Sequence, residues 1–247
     1  MLEELASQSF WVGLAKIIGV NIILSGDNAV VIALAARSLP SHQQKKAVLW
    51  GAGAAVILRI VLTLFAAALL TLPWLKIIGS LLLFWIGVKL LIPEDGDDDV
   101  RASDQLITAI KTILIADLVM SLDNVIAVAA AAGGSYTLLI LGLAISIPLV
   151  IFGATLLIKL MERFPVIITL GAGLIGWVAG EMLVADHALT GWLASLGAEY
   201  RNDAPYVGGW SLEIVAAVMG FALVVVVGKW VGARKEGAAQ IPADSPK

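Results

Sequence analysis

The sequence contains no cysteine, only two histidines and few charged residues. The lack of cysteine excludes disulfide frameworks, zinc–thiolate sites and thiol catalysis, and two histidines leave little room for a histidine metal cage. Charged residues make up 14% of the 247 residues, against about a quarter in soluble domains. The formal net charge of −3 offers no basic surface to phosphate groups. These absences exclude a soluble enzyme, a disordered tail and a nucleic-acid binder.

Hydrophobic residues make up 60% of the chain, and its mean hydropathy is +0.97. A transmembrane helix needs about 20 mostly apolar residues. The stretches that meet this requirement predict an all-α polytopic membrane protein with seven transmembrane helices. They lie at roughly 11–36, 47–71, 74–92, 105–132, 136–158, 166–184 and 210–230.

The basic residues predict the orientation of the chain. With the N-terminus outside, the outer segments hold only Lys76 and Arg201, and nearly all other lysines and arginines fall in cytoplasmic segments or at cytoplasmic helix ends. Because cytoplasmic loops of membrane proteins are enriched in lysine and arginine, this asymmetry predicts an outer N-terminus and a cytoplasmic C-terminus.

A short polar motif occurs twice, because residues 21–36 align without a gap to residues 117–132. A second pair of segments, 73–89 and 165–181, aligns with an offset that differs by four residues. The aligned polar pairs of the first motif are Asn21 with Asp117, Ser25 with Ser121, Asp27 with Asp123, and Asn28 with Asn124. The two matches together predict an internal repeat.

Each repeat holds three predicted helices, and an odd number places the second repeat upside down in the membrane. The expected organisation is a 3+3 inverted repeat plus one C-terminal helix, an architecture found in transporters with a site near the membrane midplane. The expected segments are a first repeat at 1–92, an acidic cytoplasmic linker at 93–104, a second repeat at 105–184, an extracytoplasmic loop at 185–209, and the seventh helix with its cytoplasmic tail at 210–247.

Three carboxylates, Asp27, Asp117 and Asp123, lie inside apolar spans. An ionised group there costs roughly 2.5–3.5 kcal/mol on insertion scales, so its default interpretation is functional. The repeat can bring the two motifs together as an oxygen cage, which suits hard divalent cations. The predicted metal ligands are Asp27, Asn28, Asp117, Asp123, Asn124, Asn21, Ser25 and Ser121. Gly26 can permit a local helix break there, and a packing cluster of protonated residues is the structural alternative.

These two motifs, 25–28 and 117–124, resemble those of the TerC family of integral membrane proteins, in its YjbE-type branch within the LysE transporter superfamily. The resemblance covers about residues 10–230 and implies a bacterial inner-membrane manganese(II) exporter. It maps the family's motif acids onto Asp27, Asp117 and Asp123, with Asn28 and Asn124 beside them. One departure is Asn21, where other members often carry an acid.

The expected function is secondary transport of Mn²⁺, which is the cargo rather than a prosthetic group, with protons as a candidate coupling ion. The alternatives are transport of another cation such as calcium, transport of an amino acid, or a membrane scaffold that delivers metal to secreted proteins. The chain is not expected to be an enzyme, because no Ser/His pair or His–Glu motif is present. The expected partners are the metal ion and the lipid bilayer, but not nucleic acid, and homo-oligomerisation stays open.

Several other charges have two interpretations. Arg59 either snorkels or forms a structural ion pair, or it acts as a counter-ion or gate for the site carboxylates. Glu181 is either an exit ligand or an interfacial structural carboxylate. The acidic run at 94–99 is either a solvated linker or an electrostatic funnel for cations. His187 and Asp186 are either a weak metal site or ordinary loop residues.

Overall fold

The computed structural model describes residues 8–65, 72–92, 102–201 and 204–239, with only the backbone described at residues 8, 9, 102, 123 and 236–239. Helices lie at all seven predicted stretches. They are α1 (Gln8–Leu24), α2 (Gly26–Ala36), α3 (Ser41–Leu64), α4 (Leu75–Leu91), α5 (Ala102–Ala132), α6 (Tyr136–Arg163), α7 (Val166–Val184), the short α8 (Thr190–Ser195) and α9 (Leu212–Ala239).

The prediction of a helical polytopic membrane protein is confirmed. Within the described residues, five helices are long and apolar enough to cross a membrane, and a sixth candidate is the bent pair of α1 and α2. Helix α4 has 17 residues, at the short end of the range for a membrane-spanning helix, which is about 17–25 residues. The count of seven spans therefore stays a prediction.

The first predicted span is not one straight helix. Helix α1 ends at Leu24, α2 begins at Gly26, and the two axes differ by 51°. Ser25 between them leaves the regular helical conformation, with φ −111° and ψ 4°. Glycine is about 1 kcal/mol less favourable than alanine inside a helix, so Gly26 lowers the cost of interrupting the helix at this point. The aligned segment of α5, where Leu122 replaces Gly26, remains helical throughout.

The described chain divides into two compact units that interleave along the sequence. The first contains α1, α2, α3, α5 and α6, and its core includes Ile17, Val56, Val128, Leu139 and Leu143. Helix α3 packs mainly on α5, and α6 packs on α1, α2 and α3. Each predicted repeat therefore contributes its first two helical spans to this unit.

The second unit contains α4, α7, α8 and α9. Its α7 and α9 approach each other at Gly176, Gly180 and Gly220, where an added Cβ would come closer than 3.0 Å to backbone atoms of the other helix. In membrane helices, small residues permit such close approach of backbones. The packing of this unit thus depends on glycines.

The segment predicted as a loop at 185–209 is folded. It contains a 3-10 turn (His187–Leu189), α8, and the strands β1 (Glu199–Arg201) and β2 (Ala204–Val207). Strand β2 pairs in antiparallel fashion with β1 on one side and with β3 (Trp210–Ser211) on the other. Gly208 and Gly209 link β2 to β3 with φ values of 57° and 87°, as a two-residue type I′ hairpin requires. This small sheet was not predicted.

Candidate functional site

The most extensive polar cluster in the first unit surrounds the guanidinium group of Arg59, on α3. Arg59 is only 4% exposed, so it does not snorkel to a surface of the unit. Its Nη2 pairs with Asp117 Oδ1 at 2.6 Å, and its Nε donates to Ser121 Oγ at 3.0 Å. Its Nη1 donates to Asn21 Oδ1 at 2.7 Å and to Ser25 Oγ at 2.8 Å. The structure therefore excludes snorkelling and pairs Arg59 with a predicted site carboxylate, as both the structural ion-pair and the counter-ion interpretations expect.

The two motifs meet this arginine in the same way. On α1, Ser25 Oγ donates to Asn21 Oδ1 at 3.1 Å, and on α5, Ser121 Oγ donates to Asp117 Oδ2 at 3.2 Å. In each pair the serine lies four residues after its partner, which places both side chains on one helix face. Arg59 thus closes one hydrogen-bonded ring with each motif.

Ser146 of α6 extends the cluster, and the sequence analysis did not single it out. Its hydroxyl accepts a short hydrogen bond from Asn21 Nδ2 and donates to the carbonyl oxygen of Leu143 at 2.7 Å. The only available signal was a serine two residues before Pro148 in an otherwise apolar span. Asn21, Ser25, Arg59, Asp117 and Ser121 are likewise buried, so the cluster is shielded from solvent by the helices of its unit.

Asp27 and Asn28 lie beside this cluster, in the first turn of α2. Asp27 is half-buried, and its Oδ1 accepts a hydrogen bond from the backbone amide of Asn28 at 2.8 Å. Ser25, a member of the cluster, lies two residues before Asp27 along the chain. Asn28 is 3% exposed, and neither its Nδ2 nor its Oδ1 has a hydrogen-bond partner among the described residues.

The second Asp–Asn pair is only partly described. Asn124 Nδ2 donates to the carbonyl oxygen of Leu24 at 3.2 Å, which satisfies a backbone group at the end of α1. Asp123 belongs to α5, but its side chain lies outside the described residues. Among the side chains that are described, no three of the types His, Cys, Asp and Glu are grouped as a metal site requires. The predicted three-aspartate cage therefore stays a prediction.

The chain matches the model of the integral membrane protein TerC family over residues 6–236. The chain belongs to the TerC family. It is 43% identical to the uncharacterized membrane protein YjbE of Bacillus subtilis (strain 168) over 188 residues, which is 76% of this chain and 86% of YjbE. No solved structure gives a significant match.

Two further relatives from Bacillus subtilis (strain 168) are more distant. The uncharacterized membrane protein YkoY is 29% identical over 70% of this TerC-family chain and 59% of its own length. The uncharacterized membrane protein YceF is 24% identical over 91% of this chain and 84% of its own length. The resemblance stated from the two motifs is thus confirmed at the level of the family.

Of three other predicted groups, Glu181 and the pair Asp186 and His187 belong to the second unit. Glu181 on α7 accepts a hydrogen bond from Trp177 Nε1 at 2.7 Å. Asp186 is buried, and its two oxygens accept from the backbone amides of Ala188 at 2.8 Å and Ile77 at 3.2 Å. Asp186 thus caps the 3-10 turn and the start of α4, while His187 is exposed. The acidic run at 94–99 lies outside the described residues.

Proposed function

We propose that this TerC-family protein is a secondary transporter that exports divalent manganese from the bacterial cytoplasm through a site within the membrane. Asp27, Asp117 and Asp123 supply carboxylates to the ion, and Asn28 supplies an amide oxygen. Asn21, Ser25, Ser121 and Asn124 shape and support the site.

The observation that carries this proposal is the side chain of Asn28. A buried polar group without a hydrogen bond costs about 1–3 kcal/mol, and each such group in a protein calls for an explanation. Among the described residues, both side-chain polar atoms of Asn28 lack a partner, and the backbone amide of Asn28 donates to the carboxylate of the preceding residue, Asp27. A cation bound by the carboxylate of Asp27 and the amide oxygen of Asn28 would offset the cost of burying that amide.

The residue types favour a hard divalent cation as the cargo. Carboxylate and amide oxygens bind Mg²⁺, Ca²⁺ and Mn²⁺ in preference to softer metals. The helix break before Asp27 also resembles the discontinuous helices on which transporters build ion sites. An amino acid is a weaker candidate, because it needs a cation for its carboxylate, and Arg59 already contacts four side chains of the protein.

Export of the ion requires an energy source. Moving a cation out against an inside-negative potential costs about 2.3 kcal/mol per charge per 100 mV. The sequence contains no nucleotide-binding P-loop motif. Antiport with protons fits a site that contains aspartates, because protonation would neutralise the carboxylates on the return step.

The direct test uses purified protein in liposomes that contain a Mn²⁺-sensitive dye. The wild-type protein should carry Mn²⁺ across the membrane, and Asp27→Asn should reduce the flux strongly. Asp104→Asn is the matched control, because Asp104 is an exposed aspartate in the first turn of α5. In cells, Asp27→Asn should raise manganese accumulation and lower manganese tolerance. Wild-type behaviour of that variant would contradict the assignment of the site.

The same assay separates the remaining alternatives. A scaffold that hands metal to other proteins gives no flux with any ion, and a calcium transporter gives flux with Ca²⁺ but not with Mn²⁺. The proposed orientation has the N-terminus outside and the C-terminus in the cytoplasm. Because the chain has no cysteine, a single Glu199→Cys substitution in the exposed strand β1 should react with an impermeant thiol reagent from outside.

A further inference from the structure

Both oxygens of the Asp117 side chain already have partners in the cluster. Its Oδ1 is paired with Arg59 at 2.6 Å, and its Oδ2 accepts from Ser121 at 3.2 Å. Ser121 also accepts from Arg59 Nε. A cation that binds Asp117 would lie against the guanidinium group of Arg59, and the repulsion between the two positive charges favours displacement of that group.

We propose that Arg59 is an exchangeable counter-cation that determines which ions can occupy the site. It holds Asp117 while no cargo is bound, and it leaves Asp117 when a divalent ion arrives. This inference rests on the proposed function, since it concerns the same site. Arg59 acts here as a specificity-determining residue, because its guanidinium group and the cargo compete for the same carboxylate.

Electrostatics explains why the competition selects for divalent ions. A monovalent cation brings no more charge than Arg59, and the displaced guanidinium loses four hydrogen bonds inside the first unit. A divalent ion brings twice the charge into a medium of low polarity, where Coulomb energies are large. Arg59 thus excludes sodium and potassium ions while it remains displaceable by divalent ions.

The formal charges agree with this role. Three aspartates and one arginine lie in the two motifs and the adjacent part of α3. Together these four groups carry a formal charge of −2, which one divalent cation balances. The neutral side chain of Asn21 contributes to this charge balance, because an acid at this position would place two carboxylates against the single arginine.

The test compares Mn²⁺ binding to the purified full-length protein with and without excess sodium ions. Arg59→Met should bind Mn²⁺ about tenfold more tightly or more, which is roughly 1.4 kcal/mol. Sodium should compete with Mn²⁺ in this variant and not in the wild type. Arg59→Lys keeps the charge but loses most of the fixed donor geometry, so it should resist sodium with an intermediate Mn²⁺ affinity.

Arg201→Met is the matched control, because Arg201 pairs with Glu199 at 3.2 Å in an exposed ion pair of the second unit. It should leave both Mn²⁺ affinity and sodium resistance unchanged. An Arg59→Met protein with wild-type affinity and no sodium sensitivity would overturn the inference. Absence of Mn²⁺ flux in the wild type would instead overturn the proposed function, so the two failures are distinguishable.

Arg59→Met leaves a buried carboxylate unpaired, which can prevent folding. The double variant Arg59→Met with Asp117→Asn removes both charges, and neutral replacement of a buried ion pair is often tolerated. If Asp117 becomes a ligand when Arg59 leaves, this variant should bind Mn²⁺ about tenfold more weakly than the wild type. Wild-type affinity of the double variant would show that the pair is a permanent structural link and would overturn the inference.

Discussion

The side-chain amide of Asn124 donates a hydrogen bond to the carbonyl oxygen of Leu24 at 3.2 Å. The aligned residue of the first motif, Asn28, has no equivalent bond. The difference follows from the helices, because α1 ends at Leu24 and exposes that carbonyl, while α5 continues past the aligned residue Met120. Two asparagines that the sequence pairs therefore have different roles.

Asn28→Leu should stabilise the protein and abolish its transport. The substitution removes a buried amide that has no partner among the described residues and replaces it with an apolar side chain of similar size. We expect the free energy of unfolding in detergent to rise by about 1 kcal/mol or more. Mn²⁺ flux into liposomes should be lost, because the proposed amide ligand is absent.

Asn124→Leu is the paired comparison and should destabilise the protein. It removes the donor to the Leu24 carbonyl oxygen, so the free energy of unfolding should fall by about 1–3 kcal/mol. Equal losses of stability in the two variants would refute the division of roles between Asn28 and Asn124.

The sequence was sufficient for the family, the helical membrane class and the polar residues that meet in the first unit. Asn21, Ser25, Asp117 and Ser121 could be predicted because a repeated pattern of polar residues is conspicuous in apolar spans. For Arg59 the sequence left two interpretations open, since a lone arginine in an apolar helix has no sequence partner at a fixed spacing. Long-range packing of α3 on α5 determines its contacts.

The interleaved units also illustrate a limit of reasoning from sequence. The sequence repeat predicts two segments that follow one another along the chain. The compact units instead combine helices from both repeats, because they depend on which helix faces pack together. The role of Asp186 escaped prediction for the same reason, because one of its partners, Ile77, is distant in sequence. The small sheet was missed because its strands have only two to four residues.

Gly26→Ala should impair transport without a steric clash. An added Cβ at Gly26 meets nothing within 4 Å, so the substitution acts through backbone preference. Alanine favours a helix by about 1 kcal/mol over glycine, which favours a straight helix through Ser25 and disfavours the 51° bend. We expect a reduced rate of Mn²⁺ flux at an unchanged level of folded protein.

Gly19→Ala is the matched control for this change, because Gly19 lies inside α1 and an added Cβ there also meets nothing within 4 Å. It should leave the flux unchanged. If both alanine variants transport at the wild-type rate, the helix break has no part in ion movement.

Asp186→Ala should destabilise the second unit and leave Mn²⁺ binding unaffected. Asp186 is buried and accepts hydrogen bonds from Ala188 and Ile77. Loss of a capping side chain costs about 0.5–2 kcal/mol, and Asp186 bonds to the backbone at two places. We expect a lower unfolding temperature in detergent. His187→Ala changes the exposed neighbour and should leave that temperature unchanged. A loss of metal binding in either variant would support the interpretation of Asp186 and His187 as a weak metal site.

Gly180→Ala should be strongly destabilising because of the close approach of α7 and α9. The added Cβ would come closer than 3.0 Å to backbone atoms of Ala216 and Ala217, which cannot move independently of α9. Overpacking of this kind typically costs about 1–3 kcal/mol, so the two helices must separate or the unit must unfold at a lower temperature.

Gly53→Ala provides the comparison, because Gly53 lies within α3 and an added Cβ there meets nothing within 4 Å. This variant should unfold at the wild-type temperature or slightly above it, since alanine is the better helix former. Because the Arg59 cluster belongs to the other unit, the Gly180→Ala protein that remains folded should still bind Mn²⁺ with wild-type affinity. A parallel loss of binding would show that the site depends on the packing of α7 against α9.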